Sequence, residues 1–132
     1  MMQYVKKEGA QGICPVGWHI PAASEMFVLQ EYLGGHGEAG GKMKEQGNSH
    51  WCSPNIGATD SSGFTALPDG KRDTSGYFSY RCSYAFFWAS TQSNFDSLNA
   101  YSGLLWYQGS FFQVQPYDDR KLGFSVRCIM NK

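Results

Sequence analysis

The side chains able to do chemistry are few and widely spaced. Cys14, Cys52, Cys82 and Cys128 lie too far apart for the paired C-x-x-C clusters of structural zinc sites, so metal binding is not expected of them. His19, His36 and His50 sit early in the chain among glycines and tryptophans, and no G-x-S-x-G elbow accompanies them. Each reads as structural or exposed rather than as a general base. Paired carboxylates occur only as Asp118-Asp119, which point to opposite sides of an extended segment and do not converge on one substrate, leaving at most a calcium contact in a loop. "GGHGEAG" holds G-x-G-x-x-G at Gly35, Gly37 and Gly40, but it follows a helical pattern rather than a strand, so it reads as a loop. "LPDGKRD" has Arg72 where a phosphate loop needs Ser or Thr and reads as a turn at Asp69-Gly70.

What remains is a stretch rich in contact-making side chains and free of Lys, Arg and His: "WASTQSNFDSLNAYSGLLWYQGSFFQVQPYDD", Trp88 to Asp119. Tyr and Trp offer large contact area with few torsions to immobilise, and Ser, Asn and Gly supply adaptable hydrogen bonding, the composition of antibody binding loops. Recognition accounts for this better than catalysis does. The candidate ligand-binding residues are Tyr80, Tyr84, Phe86, Asn94, Phe95, Asp96, Tyr101, Ser102, Trp106, Gln108, Ser110, Phe111, Gln113, Gln115, Tyr117 and Asp118. Seven of them, Tyr84, Phe95, Tyr101, Trp106, Phe111, Gln113 and Tyr117, are expected to share one exposed face. About half of the aromatic residues should be scaffold, with Phe87, Trp88 and Leu105 in the core, because large apolar side chains are usually inside.

The elements that must hold such a face are legible in outline. The chain has 132 residues, 42% of them hydrophobic, enough for one domain with a real core. Eleven basic residues balance eleven acidic ones, which supplies no field for nucleic-acid phosphates or anionic lipid. No apolar run approaches the roughly 20 residues of a membrane span. "MMQYVKKEGAQG" lacks the apolar core of a secretory signal, so any signal or anchor would lie elsewhere.

Residues 22–33 are predicted to form a helix, with Met26, Leu29 and Leu33 at spacings of three and four, no capping box, and a stop at Gly34-Gly35. "EAGGKMKEQG" suits one short second helix. From residue 47 turns and short strands dominate, giving an α+β order with less than the usual ~30% helix. Phe124, Val126 and Cys128 alternate with Ser125 and Arg127, which predicts a half-buried strand over 124–129. The inward phase of Cys128 favours a bridge to Cys14, closing a loop of about 115 residues and so constraining the unfolded chain, over two buried free thiols. That bridge implies an oxidising compartment. Cys52 and Cys82 fit either a second bridge or two free thiols.

"GICPVGWHIPAASEMFVLQEYLGG", "AGGKMKEQGNSHW", "SPNIGATDSSGFTALPDGKRD", "FFWAST" and "GFSVRC" together resemble, in order and spacing, the Fibrobacter succinogenes major paralogous domain family of bacterial surface proteins, over about residues 12–131. The resemblance implies a C-type-lectin-like fold, related to that of formylglycine-generating enzymes, with helices packed on small twisted, mostly antiparallel sheets and neighbouring termini. Between Trp88 and Gly123 the chain departs from the family pattern. A comparable split marks the variable proteins of diversity-generating retroelements, although Trp106 and the glutamines do not fit Asn-codon randomisation, which leaves only a subset of positions variable.

The function so implied is a non-enzymatic, adhesin-like module of a bacterial surface or phage protein. Its partner would be a protein or glycan on another cell, bound without cofactor, metal, nucleic acid or membrane insertion. Its location would be extracellular or at the cell surface, and its oligomeric state is left open. The alternatives are an enzyme of the formylglycine-generating type, with Cys52 and Cys82 as the only spare thiols, and a structural spacer.

Overall fold

The computed structural model of the chain describes residues 1–2 and 5–132. Helix α1 runs Ala23–Tyr32. Its N-cap, Ala22, has no side-chain oxygen to offer, yet Glu25 accepts the Ala22 N–H at 2.9 Å. That is the carboxylate half of a capping box, which the sequence reading did not anticipate. The Ala23 N–H is taken by Thr91 Oγ1 at 2.8 Å, so a neighbouring strand satisfies one of the helix's orphan donors. At the other end, Gly34 with φ 105° and Gly35 turn the chain, their N–H groups returning to the carbonyls of Glu31 and Gln30. Met26 and Leu33 are buried and Leu29 packs against the core, as the spacing predicts.

Helix α2, Ala39–Met43, is a single five-residue piece. Its glycines are there for proximity. A Cβ on Gly40 would collide with the backbone carbonyl of Phe111, and one on Gly41 with that of Gly57. Gly40 and Gly41 therefore serve close packing of α2 against the turn at Ser110-Phe111 that leads into the sheet and against Gly57. Gly40→Ala is expected to cost about 1–3 kcal/mol through overpacking against backbone that cannot move aside, read as a lowered urea midpoint.

Three strands, β4 (Tyr84–Gln92), β5 (Asn99–Trp106) and β6 (Phe112–Asp119), form an antiparallel meander. Two two-residue ribbons accompany it. One pairs β1 (Trp18–His19) with β7 (Ile129–Met130), and the other pairs β2 (Lys71–Arg72) with β3 (Phe78–Ser79). Few helices and small antiparallel sheets make this an α+β protein. The helices cover one face of the meander. There Ala85, Phe87 and Ala89 of β4, Leu105 of β5 and Phe112 of β6 pack with Met26, Leu33, Met43, Trp51 and Ala66. Gln30 closes this layer by donating to the Phe112 carbonyl at 2.5 Å.

The C-terminal segment departs from expectation. Instead of one strand over 124–129, only Ile129–Met130 is a strand, and Ser125 makes an isolated bridge to Phe87 of β4. The chain exchanges hydrogen bonds with Phe86 and Trp88 through Ser125, then leaves that edge to reach β1. Its alternation thus reflects two successive partners rather than one ladder.

Cys14 and Cys128 are bonded, with Cα atoms 5.8 Å apart. Beside that link His19 joins the ends further, meeting Asn131 at 2.7 Å and Glu25 at 2.9 Å. The hydrogen bonds to Glu25 and Asn131 raise the His19 pKa. Burial pushes Glu25 upward, but the Ala22 N–H and His19 outweigh it and hold the carboxyl below its ordinary value. Cys52 and Cys82, unassigned from sequence, form a second bridge with Cα atoms 4.9 Å apart.

Candidate functional site

The face of the meander turned away from the helices carries the alternate residues of each strand. Register places Tyr84 opposite Trp106, Phe86 opposite Leu104 and Gln113, and Trp88 opposite Ser102 and Gln115. The strands therefore sort their side chains into an aromatic side on β4 and an amide side on β6.

On the aromatic side the rings are continuous. Tyr84 stacks on Phe86 at 5.5 Å and on Trp106 at 6.1 Å, Trp106 meets Phe111 at 5.9 Å, and Phe111 stacks on His36 at 5.8 Å with planes 8° apart. Tyr80 abuts Tyr84 edge-on at 5.3 Å, and the ammonium of Lys71 lies 5.4 Å from the Tyr80 ring centre. Such contacts add about 0.5–1.5 kcal/mol each beyond burial and hold the rings in place before any ligand arrives. Tyr80 is 51% exposed and has a φ of 62°, a left-handed backbone that a bulky residue adopts only when its surroundings insist.

On the amide side Gln113 Nε2 donates to Gln115 Oε1 at 3.2 Å, and Gln115 Nε2 donates to Asp118 Oδ2 at 2.8 Å. Ser102 Oγ also donates to that Asp118 oxygen. The row is pre-oriented by its own hydrogen bonds, and its members remain partly exposed apart from Ser102.

The sixteen candidate residues separate into three sets. Tyr80, Tyr84, Trp106 and Phe111 gather at one end of this face, with exposed Gln108 on the adjoining turn, and Gln113, Gln115 and Asp118 run from there along β6 to the far end, where Asp118 pairs with Ala100. A second set sits at the far end of the strands, beside Asp118 and roughly 20 Å from Tyr84 and Trp106 at 3.3 Å per residue. It comprises Asn94, Phe95 and Asp96 on the β4–β5 loop, together with Tyr117, whose ring meets Phe95 at 5.9 Å. Phe95 and Tyr117 are 74% and 65% exposed. The third set is scaffold. Phe86 is buried beneath Phe124, which stacks on it at 4.8 Å; Ser102 is buried at the sheet centre; Tyr101 faces the core layer; and Ser110 Oγ is spent on the Gly37 carbonyl at 3.0 Å. The seven residues expected on one face therefore do not all share it. Strand alternation turns Tyr101 inward, and the loop carries Phe95 away.

Sequence reading passed over several residues that shape the site. Lys71 enters from β2, His36 from the loop before α2, and Phe124 from the C-terminal segment; only long-range register brings them here, so local pattern carried no signal. Lys44 is the fourth and is fully buried. Its ammonium donates to the carbonyls of Ile56, Trp106 and Gly109 at 2.9–3.0 Å and lies 5.3 Å from the Trp51 ring centre. Three donors meet three acceptors, so the lysine fixes the β5–β6 turn that presents Trp106, Gln108 and Phe111.

Burial lowers the Lys44 pKa from 10.5 to about 8. Between about pH 8 and 10.5 the folded chain releases a proton that the unfolded chain still holds, so stability rises with pH across that window. The gain should approach about 3 kcal/mol. Urea midpoints of the native protein minus those of Lys44→Met, taken at pH 7.5 and pH 10, should show it.

Among the described residues no group of three or more His, Cys, Asp or Glu converges as a metal site. The Fibrobacter succinogenes major domain matches residues 2–130 of the chain. The chain belongs to that family. Membership of the Fibrobacter succinogenes major domain family thus covers the helices, the meander and both disulfides together. No curated protein and no solved structure matches the chain.

Proposed function

We propose that the chain is a non-enzymatic ligand-binding module with a C-type-lectin-like fold, belonging to a bacterial surface or phage protein, and that it recognises a protein or glycan through the outer face of the meander. The observation that carries this reading is the unbroken run of rings from His36 to Tyr80 beside a pre-oriented amide row. Stacked rings suit the apolar faces of a sugar or an aromatic side chain of a protein, and the amides with Asp118 supply donors and acceptors for hydroxyl or peptide groups. Both cysteine pairs are bridged, which fits an extracellular or cell-surface setting. Among the described residues no helix is long and apolar enough to cross a membrane. No observation favours the formylglycine-generating alternative, since Cys52 and Cys82 are joined to one another.

The departure from family pattern between Trp88 and Gly123 extends the proposal to a diversified surface, which a near-copy of that coding segment beside a reverse-transcriptase gene would support. The direct test is a screen against arrayed glycans and bacterial surface proteins. Trp106→Ala should weaken the strongest interaction by about 2 kcal/mol or more, roughly thirtyfold, whereas Tyr117→Ala at the far end should leave it within about twofold. Equal losses from both variants would count against this face.

A further inference from the structure

We propose a second ligand site, for a small amphiphilic anion, in an apolar pocket on the helix side of the sheet. It does not rest on the recognition face, from which the sheet itself separates it. The pocket has a volume of about 360 Å³, within the range of small-molecule sites. Its inner wall is the core itself: Met26, Met43, Phe87 and Phe112 line it. Its mouth is framed by Trp18 of β1 and Met130 of β7, both exposed. Protein interiors are close-packed, and core side chains bordering open space forgo dispersion contacts on that side, which an apolar guest would supply. Three methionines in the lining, Met26, Met43 and Met130, let the wall adapt to the guest's shape.

Two charged groups stand on the rim, Glu25 and Arg127, and they are not equivalent. The oxygens of Glu25 already accept His19 Nε2 at 2.9 and 3.1 Å and the Ala22 N–H at 2.9 Å. Arg127 lies over the Phe64 ring, 4.4 Å from its centre, and donates to the Phe64 carbonyl. Among the described residues it has no carboxylate within ion-pair distance. Its remaining N–H donors form a planar fork suited to a carboxylate. An apolar cavity with one unpaired guanidinium at its mouth selects a ligand with an unbranched or aromatic apolar tail and a single anionic head, such as a free medium-chain carboxylate.

The chain's own methionines provide the readout. Of the five, Met26, Met43 and Met130 line this pocket, while Met1 and Met2 border a different cavity beside Trp88 and Phe124. With methyl-13C methionine, titration with decanoate below its micellar concentration should shift the signals of Met26, Met43 and Met130 and spare those of Met1 and Met2. Decanoate should bind about tenfold more tightly than decanol, and decylammonium more weakly than either, because a charge-assisted bond to Arg127 supplies the difference. Arg127→Gln should erase the preference for decanoate over decanol. Shifts confined to Met1 and Met2, equal binding of all three probes, or no shift at millimolar decanoate would each overturn the proposal. These outcomes are read on the native protein and hold whether or not the Arg127 variant folds.

Discussion

Lys44→Met should lower the unfolding free energy at pH 7 by about 3 kcal/mol, a large share of the 5–15 kcal/mol typical of a domain. Two opposing effects set the figure. Removing the ammonium leaves the carbonyls of Ile56, Trp106 and Gly109 without their buried donor, at about 1–3 kcal/mol each. Against this, the desolvation that pulls the lysine pKa from 10.5 to about 8 is relieved, worth about 3 kcal/mol. The orphaned carbonyls win. Because two of them belong to the β5–β6 turn, the variant should also loosen Trp106 and Phe111, seen as faster amide exchange over residues 107–111 than a global loss of that size explains. Unchanged denaturant midpoints would mean that water replaces the ammonium at no cost.

Breaking the bridge at the chain ends should cost more. Cys14 and Cys128 enclose 114 residues of sequence separation, and the chain-entropy estimate for a loop of that length is about 5 kcal/mol. For Cys52 and Cys82, separated by 30, it is about 4 kcal/mol. Cys14→Ala/Cys128→Ala should therefore melt well below Cys52→Ala/Cys82→Ala in calorimetry under identical oxidising conditions. The two losses should also differ in where they fall. The first frees the β1–β7 ribbon, which is only two residues long on each side and is otherwise joined by the His19–Asn131 hydrogen bond and by the Asn131 N–H to the Gly17 carbonyl. The second frees the turn that sets Tyr80, since Cys82 shares its left-handed backbone with a φ of 60° and Cys52 N–H donates to the Cys82 carbonyl at 2.8 Å. The reverse order of melting would indicate that the denatured chain is already compact around its ends.

How much of this was legible beforehand differs by element. Helix α1 was readable because Met26, Leu29 and Leu33 repeat with helical spacing and two glycines stop them, both local facts. The bridge from Cys14 to Cys128 was reached through a strand over 124–129 that the chain does not form, so the pairing stands while the phase argued for it does not. The two sides of the meander were not readable. In "YAFFWASTQ" both faces of β4 are covered, by the helices on one side and by Phe124 on the other, so no polar alternation tells Phe87 from Phe86 or Trp88. Trp88 is buried as expected, but under Phe124 rather than among the helices. Composition found the aromatic wealth of residues 80–119 without dividing it between the ring ladder and the Phe95–Tyr117 pair, because that division is made by strand length and register. Lys44 was invisible for another reason. Beside Lys42 in "GGKMKEQG" it has the sequence context of a solvated lysine, and only the fold sets three carbonyls around it.

The central claim, that recognition occupies the ring ladder and amide row, is tested most directly by side-chain oxidation footprinting. The chain would be probed alone and then bound to whichever arrayed glycan or surface protein it holds most strongly. Tyr80, Tyr84, Trp106 and Phe111 should lose reactivity together on binding, while Phe95 and Tyr117, more exposed than Tyr80 in the free chain, keep theirs. Protection of Phe95 and Tyr117 with the ladder still oxidised would contradict the account and move the site to the opposite end of the strands.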